Sequence, residues 1–205
     1  MPARDGGSSV KAMNSVHGGV RITAIGAPIL LFLYGVLRLI DGMDGHHGPG
    51  FAWNLGHTLF LIAFVMLGGL TVGLRRLVPA TSRPARVVAD LAMVAGLFGA
   101  ACFIWVIVGD LFAHVHDAAP LPGPLEVAGP LVFQVGVLGL LVMLVVDRSR
   151  RLPFWTPILV LVGFLLFAVN LDLIPVGALI VLCGLSPLAR RSFLGGRGKG
   201  VMSKP

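Results

Sequence analysis

Apolar positions in this chain come in long unbroken blocks, without the three-to-four-residue or two-residue alternation of a half-buried helix or strand. The blocks cover about residues 22–40, 53–74, 87–110, 125–146, 154–170 and 173–189, and short segments rich in Gly, Pro and charge separate them. About 20 apolar residues carry a helix across bilayer hydrocarbon. Lipid offers no hydrogen bonds, so a spanning segment must pair its own N–H and C=O groups, which leaves helices and closed barrels. The blocks therefore predict an all-α, polytopic integral membrane protein, a six-transmembrane-helix bundle over 22–189. The last two blocks belong to one apolar stretch interrupted by Asn170, Asp172 and Pro175. Two short spans joined by an outward turn are expected there, with a re-entrant hairpin as the competitor.

Charge orients the bundle. Of the 16 Lys and Arg residues, all but Arg38 lie before Ile22, between Leu74 and Val87, between Asp147 and Leu152, or after Ala189. Five of the six His fall on the alternate side of the pattern. Cytoplasmic loops retain Lys and Arg, so both termini are expected in the cytoplasm. Residues 1–21 and 190–205 then read as disordered cytoplasmic tails. Trp53 stands where an interfacial aromatic belongs.

Composition narrows the class further. The chain is 56% hydrophobic and 12% charged, against about 25% charged in soluble domains. Its net charge of +7 sits beside spans and lacks any recognition-helix or basic-aromatic pattern, so no nucleic acid is expected as a partner. The bilayer, with anionic headgroups at the cytoplasmic face, is the expected one. Thirteen Arg against three Lys, with abundant Ala, Gly, Val and Leu, point to a bacterial plasma membrane. Cys102 and Cys183 lie inside apolar runs and behave as small hydrophobes. No small-residue cleavage site follows the first run, which reads as retained.

Candidate chemistry gathers on the outward side. Asp41, Asp44, His46, His47, His57, Asp110, His114, His116, Asp117, Glu126 and Asp172 all fall there. Imidazole and carboxylate are ligands for a divalent metal, and catalytic zinc sites take three protein ligands plus an open position. His57, Asp110 and His114 are the candidate set. Asp110 and His114 stand four apart, so they share a face if the third helix runs on through Ala113. His57 lies one turn into the second span, where a polar side chain faces the bundle. The bland reading is that outward loops, depleted of Lys and Arg, fill with Asp and His without any site.

Four further polar features stand out. Arg38 and Asp41 are three apart and positioned to pair. Gln134, about a third of the way into its span, is placed to hydrogen-bond across helices. Asn170 and Asp172 either line a cavity near the outer surface or form a polar turn. Asp90 suits the N-terminal dipole of the third helix. Small residues at four-residue spacing, Ala92, Gly96 and Ala100 on the third span and Gly69 and Gly73 on the second, mark close helix packing. A homo-oligomer or membrane partner is compatible with them.

No P-loop, H-E-x-x-H, G-x-S-x-G or C-x-x-C-H sequence occurs, so the phosphate, zincin, serine-hydrolase and covalent-haem readings lack a motif. What remains is a non-enzymatic transport, sensing or accessory component with an outward mouth rich in His and Asp. The alternative is a metal-dependent or acid/base enzyme acting on a lipid or isoprenoid at the outer leaflet.

Overall fold

Each apolar block forms a helix, and Pro or Gly marks most of the breaks. The computed structural model describes residues 6–44, 48, 50–79, 81–147 and 152–190, with the backbone alone at 6–15, 44, 113 and 116. The helices are α1 (Gly6–Asp41), α2 (Phe51–Leu77), α3 (Arg83–Leu111), α4 (Ala113–Ala118), α5 (Gly123–Val146), α6 (Trp155–Val169) and α7 (Ile174–Ala189). Pro enters within the first two residues of α3, α5 and α7, where its missing N–H has no intrahelical partner to lose. Ser82 caps α3 by accepting a hydrogen bond from the Ala85 amide at 3.3 Å. Five helical segments, 16–41, 51–77, 83–111, 123–146 and 171–189, are long and apolar enough to cross a membrane. The chain is a multi-pass, membrane-type helical bundle.

α6 is the short one. Its 15 residues reach about 22 Å at 1.5 Å per residue, less than the roughly 30 Å of bilayer hydrocarbon. It pairs with α7 as an antiparallel hairpin: a Cβ on Gly163 would stand 2.7 Å from the Gly177 carbonyl, and one on Gly184 3.1 Å from Leu159 Cβ. A 3-10 turn at Leu171–Leu173 joins them. The Asn170 carboxamide oxygen accepts from the Asp172 amide at 2.9 Å, so Asn170 is first of all a turn residue.

α1 begins at Gly6, inside the segment expected to be a disordered tail, and the start of the first apolar block at Ile22 marks no boundary in it. Packing supplies the reason from Val20 onward. Val20 is buried against Gly73 of α2, and Thr23 approaches Gly69. The small-residue positions of α2 thus receive α1. Those of α3 receive α5: a Cβ on Gly136 would stand 2.5 Å from the Ala92 carbonyl, and one on Gly99 2.5 Å from the Gly129 carbonyl. Without a solvent-driven hydrophobic term between helices in lipid, such backbone approach is what binds them.

Neighbour follows neighbour in the order α6, α7, α1, α2, α3, α5, an arc that bends back on itself. Extensive contacts join each adjacent pair, whereas the closing seam between α5 and α6 is sparse. Inside the arc, rings of Phe60, Phe64, Phe103, Phe133, Phe164 and Phe167 contact one another in sequence. At the basic end, Arg75 of α2 donates to Asp90 of α3 at 2.6 Å. Asp90 therefore has a partner 15 residues away as well as its place near a helix start.

Candidate functional site

At the opposite end from the Arg75–Asp90 pair, the last turns of α1 and α3, the first turns of α2 and the turn before α7 bring their polar groups together. His57 is the buried centre, only 4% exposed. Its ring lies 4.0 Å from the Trp53 ring, tilted by 35°, and meets Tyr34 edge-on at 5.4 Å. Tyr34 in turn stacks on Phe60 at 4.2 Å. These rings hold the imidazole in place. They expose its two nitrogens to different oxygens.

Nδ1 lies 2.9 Å from the Trp53 carbonyl, one turn back on the same helix. Nε2 lies 3.6 Å from Asp110 Oδ2 on α3. A carbonyl oxygen only accepts, so Nδ1 carries a hydrogen. A neutral imidazole then has none on Nε2 and turns a lone pair toward the Asp110 carboxylate, whereas a proton on Nε2 makes the 3.6 Å contact an ion pair. Trp53 braces the pair from the other side, donating from Nε1 to the Asp110 backbone carbonyl at 3.3 Å.

Arg38 completes the cluster with a partner different from the expected one. It faces Asp172, Nε to Oδ1 3.5 Å, while Asp41 accepts from the Gly48 amide at 3.3 Å. The contact with Asp172 is an ion pair without hydrogen-bond alignment, because Arg38 Nε has no hydrogen-bond partner among the described residues. Helix packing decides the choice. Gly35 takes Pro175 at 2.6 Å from where a Cβ would stand, and Arg38 and Asp172 lie three residues beyond that contact on antiparallel segments. The Arg38 guanidinium also acts on the Tyr34 hydroxyl, one turn back on the same helix face. Arg38 is thereby balanced by a carboxylate at this end of the bundle.

The three-ligand set of His57, Asp110 and His114 is not assembled. Among the described residues no three His, Cys, Asp or Glu side chains gather closely enough to hold a metal ion. The shared face of Asp110 and His114 required an unbroken helix, and α3 stops at Leu111. Phe112 adopts φ −131° and ψ 91°, an extended conformation that resets the register before α4. His114 is exposed there, its ring 6.0 Å from that of Phe112. His46 and His47 lie outside the described residues.

Two cavities lie near this end of the bundle, and only the first reaches the cluster, through Asp110. The first, about 300 Å³, lies between α3 and α5, with Asp110, Glu126, Cys102, Phe103 and Pro130 in its wall. The other, about 440 Å³, fills the inside of the arc and shares Phe103 and Pro130 with the first. Gln134 and Asn170 line the larger one. Gln134 stands eleven residues after the start of α5 and twelve before its end, so it is at mid-helix rather than a third of the way in.

Sequence reasoning passed over Tyr34 and Phe103. Tyr34 is the single tyrosine of the chain and stands one turn before Arg38, a spacing that marks a shared face. Phe103 carries no such signal, since one Phe among twelve in an apolar run reads as lipid-facing or core alike. No family model, curated protein or solved structure matches the chain.

Proposed function

We propose that this chain is a non-enzymatic component of a bacterial plasma membrane, with six spans, both termini in the cytoplasm and the His57 cluster at its outward mouth. Its task is transport or sensing in which the His57–Asp110 pair holds and releases a proton. The observation that carries the reading is the double acceptor environment of a buried imidazole: the Trp53 carbonyl at Nδ1 and the Asp110 carboxylate at Nε2. Buried ionisable groups inside spans are expensive and mark functional paths. Tyr34 and Arg38 from α1, Asp172 beside α7 and Glu126 from α5 surround the pair or its adjoining cavity. The basic segments hold the cytoplasmic face against anionic headgroups, and a second copy or a membrane partner is a compatible associate.

Infrared difference spectroscopy on the protein in liposomes, stepped in pH, tests this. A carboxyl band that changes with pH, vanishes in Asp110→Asn and moves in His57→Gln supports the proton-holding pair. A spectrum identical in wild type and Asp110→Asn refutes it.

A second reading, an acid/base or metal-assisted enzyme working on a lipid or isoprenoid at the outer leaflet, draws on the cavity that Asp110 and Glu126 share. Elemental analysis separates the two. A stoichiometric metal lost on joint His57→Ala and His114→Ala substitution favours the enzyme, with the metal recruited by a rearrangement of the α3–α4 junction.

A further inference from the structure

The larger cavity has a feature that its position in a membrane makes costly. Gln134 Nε2 is buried, lines the cavity and has no hydrogen-bond partner among the described residues. Leaving a buried donor unpaired is unfavourable, and at mid-helix depth no headgroup is at hand to relieve it. Apart from Asn170, whose carboxamide oxygen is taken by the Asp172 amide, the surrounding wall is aromatic and apolar: Phe60, Phe64, Phe103, Phe164 and Phe167, closed by Leu31 and Ile174. At about 440 Å³ the space falls within the range of about 300–1,000 Å³ typical of small-molecule sites.

The cavity has its mouth at the sparse seam. Val127 and Leu131 of α5, with Val169 and Leu171 at the end of α6 and in the turn, border it, and all four are exposed, Val169 to 78%. The seam faces hydrocarbon, so access is lateral. An occupant must therefore be lipid-soluble, must carry a hydrogen-bond acceptor deep in the bilayer, and must present a flat face to Phe rings, which favour offset or edge-on ring partners. A phospholipid acyl chain satisfies the first condition only, since its ester oxygens lie near the headgroups.

We infer that this cavity binds the head ring of a lipophilic quinone, with a ring carbonyl accepting from Gln134 Nε2, the ring among Phe60, Phe64, Phe103 and Phe164, and the tail leaving between α5 and α6. This binding site stands apart from the His57 cluster and does not depend on the proton reading.

The test uses the full chain in lipid nanodiscs and two probes with the same short alkyl tail, one on a benzoquinone ring and one on a carbonyl-free ring. Binding is read by equilibrium partition, corrected for empty nanodiscs. The expected result is saturable quinone binding about tenfold tighter than that of the carbonyl-free probe, the worth of one hydrogen bond of about 1.4 kcal/mol. Gln134→Leu removes that preference while the carbonyl-free probe binds as before, which also shows that the variant is folded. Leu131→Trp, at the mouth, weakens both probes. Equal affinity for the two probes in wild type, preference unchanged in Gln134→Leu, or no saturable binding above empty nanodiscs each overturns the assignment. A phospholipid retained stoichiometrically and not displaced by the quinone probe overturns it in favour of an acyl-chain site.

Discussion

Gly136 and Gly139 lie three residues apart on α5, and replacing each by alanine is expected to act with opposite sign. A Cβ on Gly136 would stand 2.5 Å from the Ala92 carbonyl and close to the Gly96 backbone, and ordinary contact begins at 3.4 Å. The shortfall of about 0.9 Å is against backbone atoms, which cannot swing aside as a side chain can. α3 and α5 must part, and the neighbouring approaches at Gly96, Gly99 and Gly129 loosen with them. Overpacking of this kind costs about 1–3 kcal/mol, and rigid neighbours put it near the upper end. Alanine returns at most about 1 kcal/mol through helix propensity. The net loss is about 2 kcal/mol, roughly thirtyfold in the unfolding equilibrium. At Gly139 the new methyl would meet only Ala92 Cβ at 3.5 Å, an ordinary contact, so the propensity gain survives and the variant is expected to be neutral to about 1 kcal/mol more stable. Equilibrium unfolding in mixed detergent micelles, followed by far-ultraviolet circular dichroism, measures both. Gly136→Ala as stable as wild type, or no more damaging than Gly139→Ala, would refute backbone contact between α3 and α5.

His57→Ala removes a buried ring, should cost about 0.5–3 kcal/mol, and should shift the emission of Trp53, whose ring loses its 4.0 Å neighbour; unchanged emission and stability would place the imidazole elsewhere. The Arg75–Asp90 pair, with the Asp90 side chain half exposed, should show a coupling of only about 0.2–1 kcal/mol in a double-mutant cycle with Arg75→Gln and Asp90→Asn. A coupling several times larger would mean that the pair is shielded from solvent. A periplasm-active reporter inserted after Ala118 should be active, and one inserted after Arg83 inactive; the reverse pattern would invert the proposed orientation.

Residue type and order suffice for everything that lipid alone dictates. Long apolar blocks must be helical because hydrocarbon leaves their backbone no other partners, so α2, α3 and α5 start and end within a few residues of where the blocks do. The division of the last stretch is legible for the same kind of reason, since Asn170, Asp172 and Pro175 each favour a turn locally. Distance along the sequence hides the rest. Arg38 sits three residues from Asp41, yet pairs with Asp172 because Gly35 admits Pro175 and brings two remote segments together. Asp110 meets His57 across a helix interface, while its expected companion His114 is turned away by one extended residue, Phe112. α1 extends past its apolar block because Val20 finds Gly73, a contact no single segment reveals. The sparse α5–α6 seam, and the aromatic cavity behind it where Gln134 Nε2 has no hydrogen-bond partner among the described residues, exist only in the packed arc. Local chemistry determines which segments are helices, whereas the pairing of side chains from different helices depends on which backbones can approach, and that is a property of the whole bundle.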